Sequence, residues 1–202
     1  MAPHSSLLID GSAKTELRAA ALARRDALDP AFRAHASRAV ADRALALDAV
    51  VSASRVAGFW PIRTEIDPRP LMLALAARGA RLALPVVDHP LLRFRAWRPG
   101  KALVSRGFGL SEPGEDVPEV APDVFLVPLA AFDRRGGRIG YGKGHYDRAL
   151  AAARAARSIL AIGLAFAVQE VASVPVTAHD EPLDIVVTER ETIVPMPPSA
   201  ED

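Results

Sequence analysis

Five apolar runs of strand length punctuate the chain: RVAGFW at 55–60, RLALP at 81–85, Val124 to Leu129, Ile159 to Leu164 and Ile185 to Val187. Helical segments recur between them. Ser12 reads as the N-cap of a helix running to about Leu28, and Asp29-Pro30 as the cap and first position of a second helix to about Asp48. Asp67-Pro68 opens a helix through Arg78, which Gly79 ends. Tyr146 to Arg157 is alanine-rich and helical. Strands separated by helices predict a single α/β domain: an open, mostly parallel sheet with helices on both faces. Leu92 to Trp97 (LRFRAW) alternates apolar and basic residues, as suits a strand with one exposed face. Pro99-Gly100 marks a turn, and the stretch from there to Pro122 reads as irregular, with FGLSEPGE as a surface loop. No linker or repeat divides the chain, so residues 12–194 are expected to form one domain. Residues 1–11 and the tail 195–202 are expected to be disordered.

Composition removes several function classes. The formal net charge is +1 and the basic residues are dispersed, which argues against a nucleic-acid partner. There is no cysteine, hence no disulfide, thiolate metal site or thiol nucleophile. No secretory signal is evident at the N-terminus, and the longest apolar stretch, Ile159 to Val168, is too short to span a bilayer. A cytoplasmic protein without a membrane partner is the expectation, and a monomer is expected.

Residues 124–150 carry the chemistry. The apolar run Val124 to Leu129 gives way to a loop holding Gly136, Gly137, Gly140, Gly142 and Gly144, flanked by Arg138 and Lys143 and followed directly by a helix. Glycines let successive N–H groups converge on an anion, the helix start adds unpaired N–H groups, and the cations supply charge. The loop reads as a phosphate grip. It matches neither common nucleotide motif: Gly144 stands where a Walker A loop has Ser or Thr, and Gly140, Gly142 and Gly144 run G-x-G-x-G rather than G-x-G-x-x-G. A plain surface connection between strand and helix is the bland alternative. Of the 25 basic residues only Lys14, Lys101 and Lys143 are lysine, and Lys143 lies inside the loop.

Ligands of such sheets bind beyond the carboxyl ends of the strands, which brings together Trp60 to Asp67, the glycine loop and the segment after Leu164. That last segment ends in the polar cluster His179-Asp180-Glu181 with Asp184. A carboxylate there could share a divalent cation with phosphate oxygens, or could cap a turn. Asp147 has the same two readings: a metal ligand beside the loop, or a charge at the positive end of the helix.

With these pieces in order, the chain resembles the 5-formyltetrahydrofolate cyclo-ligases over nearly its full length. The resemblance rests on Lys14-x-x-x-Arg18, Trp60-Pro61, Glu65-Ile66-Asp67, LPVV at 84–87, WRPG at 97–100 and FGLSEP at 108–113. It continues through VPLAAFD at 127–133, GRIGYGKGHYDR at 137–148 and LAFAVQEVASVPVTAHDEPLD at 164–184. It implies a Rossmann-like fold similar in architecture to sugar-phosphate isomerases and CoA transferases. It also implies conversion of 5-formyltetrahydrofolate and ATP to 5,10-methenyltetrahydrofolate, ADP and phosphate, with Mg2+.

Residue by residue, the resemblance places ATP on Lys14, Arg18, Arg138, Gly140, Tyr141, Gly142, Lys143, Gly144, His145 and Tyr146. It places the folate on Trp60, Glu65 and the loop from Tyr141 to His145, Mg2+ on Asp147 and Asp180, and the main catalytic contributions on Lys143, Arg138 and Tyr146. Two positions depart from the family pattern. His145 replaces the usual tyrosine or phenylalanine, which could bring a pH dependence near neutrality, and Trp60 replaces a smaller aromatic ring. The competing classes are a sugar-phosphate isomerase or CoA-transferase-like enzyme, which would set a catalytic carboxylate in an apolar pocket, and a non-catalytic nucleotide-binding module, which would need no pterin pocket.

Overall fold

The computed structural model describes residues 5–107 and 110–195. The chain begins with helix α1 (Ser5–Asp26), followed by α2 (Pro30–Leu45), the short α3 (Asp48–Val51), strand β1 (Arg55–Ala57) and α4 (Arg69–Ala77). Strands β2 (Arg81–Asp88) and β3 (Leu91–Trp97) come next, then β4 (Val104–Gly107), β5 (Leu110–Glu112), β6 (Val124–Pro128), β7 (Ala131–Phe132) and β8 (Arg138–Ile139). Helix α5 (His145–Ala156), β9 (Leu160–Leu164), a 3-10 turn (Ala167–Gln169), β10 (Ile185–Val187) and β11 (Thr192–Ile193) complete the described chain.

Seven strands form the main sheet in the order β11-β10-β9-β6-β1-β2-β3. The five inner strands are parallel, and the edges β3 and β11 are antiparallel to their neighbours. The inner strands read as unbroken apolar runs because both faces are covered. Val56, Leu82, Leu84, Val124, Leu126, Ile162, Leu164 and Val187 pack on one face against α2, α3 and α4, through Ala36, Val40, Val50, Leu71, Met72 and Leu75. The alternate residues Ala57, Ala83, Phe125, Val127, Ala161 and Val186 pack on the other face with Leu150 of α5 and with Phe94 and Phe132. Strand period fixes this division, since successive side chains point to opposite faces. The expected sheet with helices on both faces is what the chain adopts.

Helix starts follow local chemistry. The Asp29 carboxylate accepts the N–H groups of Ala31 and Phe32 at 2.7 and 3.2 Å, with Pro30 in the first helical position. Asp67 accepts the Arg69 N–H at 2.9 Å. The structure differs from expectation at four places. Ser12 does not cap α1; the helix already runs from Ser5, and the Ser12 hydroxyl donates to Glu16 one turn on at 3.2 Å. Of the terminal segments expected to be disordered, residues 1–4 and 196–202 lie outside the described residues, while 5–11 belong to α1. The second helix ends at Leu45 rather than near Asp48, and α3 follows as a separate turn. The segment read as irregular holds the β4–β5 hairpin; Phe108 and Gly109 of its turn lie outside the described residues.

Among the described residues no helix is long and apolar enough to cross a membrane. Helix α1 stands apart from the main sheet packing. It lies over the β7–β8 hairpin, with Ala21 packed among Ala131, Ile139 and Val174. That position carries one of its faces to the carboxyl ends of the strands.

Candidate functional site

A cavity of about 470 Å3 opens at the carboxyl ends of β1, β2 and β6. Its wall includes Phe59 and Trp60 beyond β1, Pro85 and Val87 of β2, Pro128 at the end of β6, and the glycine loop. Every residue that the resemblance places on a ligand lies on this wall: Lys14, Arg18, Trp60, Glu65, Arg138, the run Gly140 to Asp147, and Asp180; of the polar cluster around Asp180, Glu181 and Asp184 pair instead with Arg154. Its size is that of a small-molecule site, which spans roughly 300–1,000 Å3.

The glycine loop is shaped from behind by a buried carboxylate. Asp133 accepts the N–H groups of Arg135 (2.9 Å), Gly137 (3.0 Å) and, from a distant segment, Val174 (2.8 Å). Beyond β8 the chain passes through Gly142 at φ +87° and Gly144 at φ +62°, left-handed conformations that strain a side chain. Gly144 is the N-cap of α5 and provides no side-chain cap, so the first N–H groups of the helix keep no side-chain partner. These groups sit beside Lys143, whose ammonium makes no hydrogen bond or ion pair among the described residues. Arg138 is buried and donates through Nη2 to Asp147 Oδ1 at 2.8 Å, while its Nε has no partner. The Tyr146 hydroxyl is likewise buried without a partner, and burial raises its pKa. Unpaired buried donors facing a cavity are costly unless a ligand meets them.

Lys14 and Arg18 share a face of α1, as their four-residue spacing implies, and each also engages the protein. Lys14 Nζ lies 2.5 Å from Asp180 Oδ2, and Arg18 Nε donates to the Gly140 carbonyl at 2.7 Å. Asp180 Oδ2 also accepts the N–H and hydroxyl of Thr177 at 2.7 and 3.0 Å. Burial pushes the Asp180 pKa up, but Lys14 and Thr177 outweigh it and hold the carboxylate below its usual range. Asp147 accepts the Glu181 N–H at 3.2 Å, which ties it to the neighbour of Asp180.

Among the described residues there is no group of three or more His, Cys, Asp or Glu able to cage a metal alone. Mg2+ sites of the phosphate-sharing kind need only one or two carboxylates, and Asp147 and Asp180 on one wall fit that donor set.

The opposite wall is built from side chains. Trp60 packs edge-on against Trp97 at 5.7 Å, and the Arg69 guanidinium lies 5.1 Å over its ring. Glu65 Oε2 accepts the Ile62 N–H at 2.8 Å, and Glu65 Oε1 accepts the Tyr141 hydroxyl at 2.7 Å. Burial raises the Glu65 pKa; the Ile62 N–H, the Tyr141 hydroxyl, Arg25 and Arg63 oppose it. The Tyr141 phenol is pushed up to about 12 by burial and by Glu65. At the rim, the His145 and His89 rings meet edge to face at 5.3 Å. Burial, Arg148, His89 and Lys143 all lower the His145 pKa, so the pH dependence expected near neutrality moves to the acid side.

Sequence reasoning missed Arg25, Glu112 and Thr177. Arg25 lies seven residues after Arg18 on the same helical face, a spacing that could have marked it. Glu112 accepts the Val87 N–H at 3.0 Å and lines the cavity from the unforeseen β4–β5 hairpin.

Fold and pocket together define the class: an α/β protein in which one composite pocket joins a cation-flanked glycine loop to an aromatic and acidic wall. The model of the 5-formyltetrahydrofolate cyclo-ligase family matches residues 10–189, and the chain belongs to that family. It is 37% identical over 173 residues to the 5-formyltetrahydrofolate cyclo-ligase of Escherichia coli K12, covering 82% of this chain and 94% of the relative. The Mycolicibacterium smegmatis cyclo-ligase is 33% identical over 193 residues, covering 90% and 96%. Among solved structures, the Aquifex aeolicus 5,10-methenyltetrahydrofolate synthetase superposes with a TM-score of 0.78 at 30% identity, covering 94% of this chain and 96% of that one. A 5,10-methenyltetrahydrofolate synthetase from Mycoplasma pneumoniae shares the fold at TM-score 0.71 and 22% identity, covering 87% and 98%.

Proposed function

We propose that this protein catalyses the ATP-dependent closure of 5-formyltetrahydrofolate to 5,10-methenyltetrahydrofolate, releasing ADP and phosphate. The observation that carries the reading is the joining, in one cavity, of a glycine loop suited to polyphosphate and a Trp60–Glu65 wall suited to a flat, donor-rich ring. The formyl oxygen attacks the γ-phosphorus and the bond to ADP breaks. The second folate nitrogen then attacks the formyl carbon, loses its proton, and the carbon–oxygen bond breaks as phosphate leaves.

Phosphorylation turns a poor leaving group into a good one, so no nucleophilic side chain is required. The protein aligns two substrates and neutralises charge. Lys143 and the open N–H groups of α5 meet the transferring phosphoryl group, and the unpaired Arg138 Nε and Tyr146 hydroxyl offer donors at the junction of the two halves. Glu65 accepts from ring N–H groups, and Trp60 supplies an aromatic wall. Mg2+, held by Asp147 and Asp180, would neutralise phosphate oxygens. We further infer a monomer working in the cytoplasm.

Following methenyltetrahydrofolate by its ultraviolet absorbance tests the reading. Product should form only when 5-formyltetrahydrofolate, ATP and a divalent cation are all present. Equal rates without nucleotide would overturn the reaction, and equal rates after thorough chelation would overturn the metal role. A sugar-phosphate isomerase or CoA-transferase-like activity would need neither ATP nor folate, and a non-catalytic module would bind ATP without product.

A further inference from the structure

Arg25, on the last turns of α1, is the largest fully buried side chain among the described residues, 1% exposed, and it does not line the cavity. A buried guanidinium is expensive unless its charge and donors are met. Its Nε donates to Thr64 Oγ1 at 3.1 Å and its Nη1 to the Tyr141 hydroxyl at 3.0 Å. The nearest carboxylate, Asp26, stands 3.6 Å from Nε and is more than half exposed. The other carboxylate within reach is Glu65, one hydroxyl away.

Guanidinium is a donor only, so the Tyr141 oxygen must accept from Arg25. The single phenolic hydrogen is thereby directed onto Glu65 Oε1, where the 2.7 Å contact lies. With Oε2 already receiving the Ile62 N–H, Glu65 is fixed at both oxygens as an acceptor, and its remaining lone pairs are left for the cavity. Arg25 thus joins three segments: α1, the loop bearing Thr64 and Glu65, and the glycine loop through Tyr141.

We propose that Arg25 is a positioning residue for folate, acting through the Tyr141 hydroxyl to aim Glu65. This rests on the reading of Glu65 as the folate-facing carboxylate. The groups that face Glu65 are Arg25 from α1, Tyr141 from the glycine loop, Tyr146 from α5 and Arg63 from its own loop. Burial drives Glu65 toward its neutral form, and of these groups only Arg25 and Arg63 bring a positive charge against it. Loss of Arg25 therefore moves the Glu65 ionisation to higher pH.

The test is a pH profile of kcat/KM for 5-formyltetrahydrofolate on Arg25→Met, Arg25→Lys, Tyr141→Phe and Glu65→Gln, and on the double variants with Glu65→Gln. Arg25→Met should raise the folate KM about tenfold at neutral pH. It should move the acid limb upward and leave the ATP KM within threefold. Arg25→Lys, which keeps the charge, should restore much of the limb position. Added to Glu65→Gln, Arg25→Met should cost less than about twofold more, because both act through one carboxylate. Should Arg25→Met fail to fold, Tyr141→Phe carries the same test, since it removes only the bridging hydroxyl. Full additivity with Glu65→Gln, or an unmoved limb, overturns the proposal. An unchanged folate KM in Glu65→Gln alone overturns the folate reading instead.

Discussion

The two walls of the pocket are built in opposite ways. The proposed phosphate side is dominated by one contiguous piece of chain, Gly137 to Asp147, with backbone conformation, a helix start and two cations, to which Lys14 and Arg18 of α1 and Asp180 are added at the edge. The side proposed for folate has no such dominant piece. Trp60 and Glu65 take their shape from Trp97 on β3, Arg69 on α4, Tyr141 in the glycine loop and Arg25 on α1. A contiguous grip tolerates change around it and fails at the group that carries charge. A composite wall fails wherever one of its supports is removed. The first arrangement suits a ligand recognised mainly by charge, the second a ligand recognised by the pattern of its donors.

The sharpest break should come at Lys143. Lys143→Ala removes the loop's unpaired ammonium and should lower kcat by about 10²–10³-fold, the usual loss of one preorganised electrostatic partner. The circular dichroism spectrum should not change, because the side chain is exposed and supports no other. Near-normal turnover would mean that the backbone alone grips the phosphates.

On the other wall, Glu65→Gln should raise the folate KM roughly ten- to over a hundredfold, the cost of a charge-assisted hydrogen bond. ATP affinity, measured by calorimetry, should stay within a few-fold. An equal fall in both would erase the division between the walls.

A smaller effect is expected at Lys14, which pairs with Asp180 across the rim. Lys14→Ala removes a cation already engaged by Asp180, so ATP affinity should fall only about fivefold, the order of one partly exposed charge contact. Its folate KM should not move.

The smallest effect concerns His145. Its folded pKa lies below the ordinary value of 6.5, so between the two values the unfolded chain binds more protons than the native one. Stability should therefore fall as pH drops below 6.5 and level off beneath the folded pKa. His145→Tyr should flatten that segment of a urea-midpoint profile; an identical slope would clear His145 of any part in it.

How much of this was legible in the sequence follows the same division. The parallel strands could be read because both of their faces are covered and their residues are apolar without interruption. β4 could not: Val104 to Gly107 are all exposed, so no burial pattern marks them. β11 is only two residues long and owes its existence to pairing with β10. The glycine loop could be read because its chemistry is local. Arg25 was hidden among the arginines of ALARRDAL, where its seven-residue spacing from Arg18 is a weak mark and composition does not separate a buried guanidinium from a solvated one. Its partners lie 39 and 116 positions away. The pairing of Lys14 with Asp180 was hidden for the same reason.

The anchoring of α1 also bears on how the protein is made. Arg18 binds Gly140, Arg24 binds the carbonyls of Val168 and Glu170, and Lys14 binds Asp180, across separations of 122, 144, 146 and 166 residues. At translation speeds of about 5–20 residues per second, the helix leaves the ribosome roughly 6 to 30 s before the groups that hold it. The β1–α4–β2–β3 region, whose partners are close in sequence, can settle during that interval, while α1 waits without its anchors. A chain halted before Asp180 would carry the whole glycine loop and yet lack the clasp that closes its pocket.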